Sequence, residues 1–217
     1  MRTFGFPEFL FILEAAKWTL ALSAIAFVGG AILGLIIALM RTSESTWARA
    51  VSTTFIQIFQ GTPLLLQLFL VFFGAPVLGL DINPWVAAGV ALILNSAAFL
   101  GEIWRGCIEA IPRGQWEAAE ALSLKYSSRM RDVVLPQAFK IALAPTVGYV
   151  VQIIKGTSLA AIIGFVEVTR AGQIVNNATF QPLIVFSVVA AIYFAICWPL
   201  SLLAARMERR RARALAR

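Results

Sequence analysis

Histidine is absent from the chain, which excludes imidazole general bases, Ser-His-Asp triads and histidine-ligated metal sites. No Gly-x-x-x-x-Gly-Lys-Ser/Thr occurs either, so the sequence offers no loop to cradle nucleotide phosphates. Lys155-Gly-Thr-Ser158 ends like such a loop but lacks its upstream glycine and falls inside an apolar run. The two cysteines, Cys107 and Cys197, have no CxxC spacing and read as small buried hydrophobes rather than a redox pair or metal ligands. Charge is also scarce. Only 13% of residues are charged, against about a quarter in soluble domains.

What is abundant is apolar: 60% of the residues are hydrophobic and the mean hydropathy is +0.84. A hydrocarbon core about 30 Å thick is crossed by roughly 20 apolar helical residues, and runs free of Asp, Glu, Lys and Arg supply several such stretches. The run from Ala50 is broken only by Asp81 and the turn-like Gly79-Leu-Asp-Ile-Asn-Pro84, so it divides into two spans. Lys155 interrupts one span, since neither flanking piece suffices alone. The expectation is an all-α integral membrane protein with five transmembrane helices, near residues 14–40, 54–78, 84–108, 138–165 and 181–206. The first run is too long for a signal-peptide core and is expected to stay as a helix.

The formal charge of +7 raises the question of nucleic acid, and the placement of the basic residues answers it. Fourteen of the 18 Lys and Arg residues fall on one side of the five expected spans: Arg41, Arg49, six between Arg105 and Lys140, and six from Arg206 to Arg217. Arg2, Lys17, Lys155 and Arg170 fall on the other. The positive-inside rule puts the amino terminus outside, with residues 109–137 and the carboxyl terminus in the cytoplasm. A basic cluster after a last span is expected as an anchor to anionic lipid. No nucleic-acid partner is expected.

The cytoplasmic insert is polar where the rest is apolar. Trp116, Ala119 and Leu122 alternate with Glu117, Glu120 and Ala121, an amphipathic helix over 114–124 entered through Pro112 and Gly114. Ser127 or Ser128 is expected to cap a second short helix through Met130, Val133 and Val134 to Pro136. Two short helices at an angle would form a knob able to dock into a groove.

The insert resembles the EAA signature of permease subunits of ABC importers, written EAA, x3, G, x9, I, x, L, P. Here it reads Glu117-Ala118-Ala119, Ser123, Val133, Leu135-Pro136, with Ser123 for glycine and Val133 for isoleucine. Serine tolerates a left-handed turn less well than glycine, which bears on the joint after the first helix. Phe59-Gln-Gly-Thr-Pro-Leu-Leu-Leu-Gln-Leu68, Phe99-Leu-Gly-Glu-Ile-Trp-Arg105, Ile111-Pro-Arg-Gly-Gln115, Lys155-Gly-Thr-Ser-Leu159 and Glu167-Val-Thr-Arg170 extend the resemblance over nearly the whole chain. They are similar to the polar amino acid uptake branch, which takes histidine, glutamine, glutamate, arginine, lysine, cystine or opines.

This resemblance implies one transmembrane domain over 1–217, of the fold first seen in methionine importers, with 109–137 supplying coupling helices between the third and fourth spans. It implies a location in the bacterial inner membrane. It also implies partners: separate ATPase subunits that use ATP and Mg²⁺, a second permease subunit, identical or homologous, and a periplasmic amino acid-binding protein. Glu117, Ala118, Ala119, Ser123, Val133, Leu135 and Pro136 would couple to the ATPase. No cofactor is expected on this chain.

Polar groups at membrane depth mark the expected substrate path. Asn95 lies about 16 Å along a helix that starts near Pro84, hence near the midplane. Gln60, Thr62 and Gln67 surround a Gly61/Pro63 interruption that frees backbone groups to line a cavity. Lys155 lies roughly 22 Å along the axis from Lys140 and is followed by Thr157 and Ser158. Two readings stand for Lys155: it meets the carboxylate of an amino acid, or it snorkels outward or pairs with Glu167. Related permeases often carry an acidic residue where Gly156 stands, so its absence leans toward neutral or acidic substrates.

Two further features point elsewhere. Glu102, Arg105 and Glu109 at helical spacing read as an ion-pair ladder, and Gly30-x-x-x-Gly34 as a close-packing face. Glu167, Arg170 and Gln173 are placed where they could touch the binding protein. The expected function is ATP-driven import of a polar amino acid by alternating access. The rivals are an ABC permease for another small polar solute and, from a different class, a passive channel or proton-coupled carrier with Lys155 and Glu102 as relays. A membrane enzyme is a distant third, since no catalytic constellation is present.

Overall fold

The computed structural model describes residues 3–215, with side chains omitted for 211, 212, 214 and 215. Arg2 and Arg217, and the side chain of Arg211, all counted in the charge asymmetry, lie outside that description. Among the described residues nine α-helices follow one another: α1 (Phe6–Arg41), α2 (Thr46–Gly61), α3 (Leu64–Val77), α4 (Pro84–Glu109), α5 (Arg113–Ala121), the single turn α6 (Tyr126–Ser128), α7 (Leu135–Thr157), α8 (Val168–Thr179) and α9 (Pro182–Leu215). Four helical runs are long and apolar enough to cross a membrane, and the bent pair α2 and α3 passes the same test together as a fifth.

Four of the expected spans change in extent, the fourth (138–165) by starting at Leu135 within the longer run Tyr126–Ile163. The first starts at Phe6, eight residues before position 14, because Pro7 sits in the first turn and the Glu8 carboxylate accepts the Gly5 N–H at 3.0 Å, closing the helix start. The second is not one straight helix over 54–78. It bends by 101° between Gly61 and Leu64, where Pro63 takes an extended conformation with ψ 135° and contributes no N–H to the ladder. The last continues as α9 to Leu215, beyond residue 206.

The insert also departs from two separate short helices. No serine caps a second one. Lys125 precedes α6, and the chain passes through a π-helical turn at Arg129–Val134 directly into α7, so that Tyr126–Ile163 forms a single helical run. The widened turn lies just before Pro136, which occupies the first turn of α7, where a missing N–H is tolerated.

The centre of the fold is the pair α1 and α4, which share the most extensive interface. Their approach depends on glycine. A Cβ on Gly30 would stand 2.5 Å from Ser96 Cβ, and one on Gly34 3.1 Å from the Ala97 carbonyl oxygen. Gly101 answers from the other helix, with an added Cβ only 2.9 Å from Ile37 Cγ2. With lipid as apolar as the side chains, van der Waals fit of this kind drives helix association in a membrane. The close-packing face expected at Gly30 and Gly34 is present.

A second core joins Ile12 and Ala15 of α1 to Val168, Ala171 and Val175 of α8 and Val185, Val189 and Ile192 of α9. It is pinned by a buried carboxylate. Gly164, at φ +88°, ends the 3₁₀ segment after α7, and Glu167 caps α8, accepting from Thr169 N at 2.8 Å, Arg170 N at 2.9 Å and the Tyr193 hydroxyl at 2.6 Å. Burial pushes the Glu167 carboxyl above the usual glutamate range, and these three donors pull against it. No ion pair joins Glu167 to Lys155 among the described residues. Cys197 packs against Val151 and Ile154, and Cys107 is buried on α4.

Candidate functional site: a membrane-depth cavity and an exposed knob

The bend between α2 and α3 frees carbonyls that a straight helix would have used, and one side chain collects them. Gln67 is 5% exposed. Its Nε2 donates to the Phe59 carbonyl at 2.8 Å and to the Thr62 carbonyl and hydroxyl at 3.0 and 2.9 Å. Its Oε1 accepts from Asn95 Nδ2 at 3.1 Å, tying the bend to α4. Gln60 adds a second tie, donating to the Ala98 carbonyl at 3.2 Å, and Thr62 donates back to Ile58 O at 2.7 Å.

Gln67→Leu removes the donor shared by these carbonyls and the acceptor of Asn95. With an orphaned buried group costing about 1–3 kcal/mol, the variant is expected to melt several degrees lower in detergent; an unchanged melting curve would show that the bend is fixed by Gly61 and Pro63 alone.

Between the bend, α4 and α7 lies a cavity of about 390 Å³, a size in the range of small-molecule sites. Leu64 closes one wall, Asn95, Ser96 and Phe99 another, and Tyr149, Gln152 and Gly156 a third. Phe99 and Tyr149 stack with ring centroids 5.5 Å apart, and the Tyr149 hydroxyl reaches Asn95 Oδ1 at 3.5 Å. Of the residues expected along the path, Asn95 lines this cavity. Gln60, Thr62 and Gln67 hold the bend beside it. Thr157 is fully buried, its hydroxyl donating to Ile154 O at 2.7 Å, and Ser158 donates to Lys155 O at 2.6 Å. Lys155 is exposed on α7, one residue before Gly156, and is not among the residues that line the cavity.

Sequence reasoning missed Ser96, Phe99, Tyr149 and Gln152 as cavity residues. Tyr149, Gln152 and Gly156 recur at three- and four-residue spacing on one face of α7, which is the signal that would have found the last two once Gly156 was singled out.

At one end of the bundle a second surface stands clear of the core. Ala38, Ile108, Ile111, Met130, Val134 and Ala138 form a cluster into which Trp116 and Tyr126 pack, and Tyr126 donates to the Thr42 carbonyl at 3.1 Å. This anchors α5 by Trp116 and Ala119 and turns Glu117, Ala118 and Ala121 outward. Leu122, expected on the anchored face, is 75% exposed instead. The cause is the turn that follows. Helix α5 stops at Ala121, and Ser123 takes φ +55° with its N–H bonded to Glu120 O at 2.8 Å while Leu124 N reaches Ala119 O at 3.2 Å.

Ser123 therefore adopts the left-handed turn for which the resembled signature has glycine. The strain in a non-glycine residue there is about 1 kcal/mol, so Ser123→Gly is expected to raise the melting temperature by about 2–4 °C; no rise would place the limiting unfolding step elsewhere in the chain.

Behind α5, Arg129 reaches Glu120 at 3.9 Å and Gln137 donates to Gln115 Oε1 at 3.2 Å, linking the helix to the π-helical turn and to α7. Val133 and Leu135 are half-buried on this run, and Pro136 is exposed. The ladder expected on α4 is present: Arg105 Nε donates to Glu102 Oε2 at 2.9 Å, and Arg105 also pairs with Glu109.

Bent second span, glycine-packed α1 and α4, membrane-depth cavity and exposed knob belong to one class. The chain is a member of the family described as binding-protein-dependent transport system inner membrane component, matched over residues 30–213, and so is a permease component of an ABC transporter. Its relatives include the glutamine transport system permease protein GlnP of Escherichia coli K12, 36% identical over 206 residues and 94% of each chain. The L-cystine transport system permease protein TcyB of Bacillus subtilis is 36% identical over 92% of this chain and 86% of that one. A crystal structure of an amino acid ABC transporter with histidines superposes with a TM-score of 0.87 at 33% identity, over 96% of this chain and 100% of that chain. The MetNI methionine transporter in an inward-facing form, at 18% identity and a TM-score of 0.79, shares the fold.

Proposed function

We propose that this chain is the membrane-spanning subunit of an importer for a polar amino acid, working by alternating access with a second permease subunit, identical or homologous. A binding protein delivers the amino acid from outside, and a separate ATPase, using ATP and Mg²⁺, docks on the cytoplasmic knob of α5 and the run that follows it. The amino terminus lies outside and the carboxyl terminus in the cytoplasm, as the arginine-rich end of α9 supports. What carries the amino acid assignment is that relatives named for glutamine and cystine transport align over 94% and 92% of the chain.

Glu117, Ala118, Ala119, Ser123, Val133, Leu135 and Pro136 form the coupling element. Support comes from the division of labour in α5: Ala119 and Trp116 fasten it to the bundle while Glu117 stays exposed, with no ion pair among the described residues. An exposed carboxylate on a helix whose exposed C-cap is apolar Leu122 suits a groove with a basic side chain and an apolar floor. Asn95 contacts the solute in the cavity, Gln60, Thr62 and Gln67 hold the wall that must move, and Lys155, Thr157 and Ser158 border the path at the end of α7.

The deciding experiment reconstitutes the chain with its ATPase and binding protein in vesicles and follows radiolabelled L-glutamine. Uptake is expected only with ATP. Uptake that persists without ATP would overturn the reading in favour of a channel or proton-coupled carrier.

A further inference from the structure

Among the described residues, the wall of the cavity has no charged side chain. Its polar lining is Asn95, Ser96, Tyr149 and Gln152, all uncharged, and the remainder is aliphatic or aromatic. The charged residues closest along the same helices stay out of the wall: Glu102 of α4 is paired with Arg105, and Lys155 of α7 is exposed and outside the lining. A free amino acid with a neutral side chain is a zwitterion with no net charge. It enters such a site without net charge, against an uncharged polar lining and the stacked faces of Phe99 and Tyr149. A cationic or anionic side chain adds a net charge that nothing in this wall compensates, and burying an unpaired charge is costly.

The lining amides are not equivalent. Asn95 is committed on both atoms, donating to Gln67 and accepting from the Tyr149 hydroxyl. Gln152 lies exposed to the cavity with no hydrogen bond to its carboxamide among the described residues. A carboxamide both donates and accepts, so it pairs equally with a second carboxamide or with a hydroxyl. One turn along the same face of α7, an added Cβ on Gly156 would stand 3.2 Å from Leu64 Cδ2 of α3, so the space there is kept open by the missing side chain.

Resting on the importer reading, we propose that the cavity selects amino acids with uncharged polar side chains and that Gln152 is the residue that reads the side chain. Gln152→Glu keeps the shape and places a carboxylate at the reading position, with a charge-assisted hydrogen bond available to a cationic side chain.

The test uses the permease purified with its ATPase, and the probes are L-glutamine, L-asparagine and L-serine against L-arginine, L-lysine and L-glutamate, at equal concentration, read by ligand-induced thermal shift. This measures the membrane complex without the selectivity of the binding protein. The neutral set is expected to stabilise the native complex and the charged set not to. Gln152→Glu is expected to move the preference toward arginine and lysine by about tenfold, and Gln152→Leu to lose the response to glutamine, with the melting temperature free of ligand reporting that both variants fold. Arginine or glutamate stabilising the native complex as well as glutamine would overturn the selection while leaving an amino acid importer. An unchanged preference in Gln152→Glu would overturn the role of Gln152, and no response to any of the six would overturn the cavity as the amino acid site and the reading on which it rests.

Discussion

Glu117→Lys is expected to abolish ATP-driven uptake while leaving the chain folded in the membrane. The side chain is exposed and pairs with nothing among the described residues, so its replacement breaks no internal contact. At a docked interface the same change sets like charges against each other, which costs several kcal/mol, and each 1.4 kcal/mol is a factor of about ten in affinity. Copurification of the ATPase should therefore fall by at least about tenfold, with transport falling alongside. Glu120→Lys is the control on the same helix. It removes the 3.9 Å contact with Arg129, a partly exposed pair worth little, and is expected to leave docking nearly intact. Full uptake in Glu117→Lys would remove α5 from the coupling element.

The second large effect is expected at the centre of the bundle. In Gly30→Leu the first added carbon alone would lie 2.5 Å from Ser96 Cβ, and α1 must separate from α4 to admit it. Overpacking of this kind costs about 1–3 kcal/mol in adaptable cores, and here the neighbour is the first carbon of a side chain on a packed helix, with little freedom to yield. Poor accumulation and a melting temperature lower by many degrees are expected. Because Ser96 also lines the cavity, any folded fraction should bind the amino acid proposed for that cavity more weakly. Gly74→Leu adds the same side chain where nothing lies within 4 Å of the new Cβ and should behave as the native chain. Equal stability of the two variants would show that the interface between α1 and α4 is looser than its glycines imply.

The broad architecture was readable because its causes are local. Span length follows from runs without charge, the packing face from glycines four apart, and the ladder on α4 from Glu102, Arg105 and Glu109 at helical spacing. What escaped depends on contacts between distant segments. A Gly61/Pro63 break announces an irregularity, but its 101° angle rests on Gln67 reaching back across the break and on Asn95 receiving it from another helix. Ser127 and Ser128 resemble caps, yet Tyr126 donates to Thr42 and the cluster around Met130 and Val134 carries the run onward into α7, so tertiary packing overrode the local signal. Leu122 looked like a core residue by periodicity and became exposed because the left-handed turn at Ser123 ended the helix first.

Among the cavity residues, Asn95 was legible because a lone amide in an apolar run must find a partner. Tyr149 and Gln152 share a face of α7 with Gly156, but that face by itself fits equally well against lipid headgroups or a neighbouring helix. Only the side-by-side placement of α3, α4 and α7 distinguishes these outcomes.

The unbroken run from Tyr126 through α7 has a mechanical consequence. Val134, at its anchored end, and Gln152, at the cavity, are 18 residues apart on one continuous helical path, a distance of about 27 Å at 1.5 Å per residue. A tilt of only about 5° pivoted at Val134 would sweep Gln152 through roughly 2 Å, more than half the length of a hydrogen bond. Carried along this run, in which Pro145 removes one ladder N–H and sets a place for bending, a small rocking of the proposed exterior partner would open or close a contact at membrane depth.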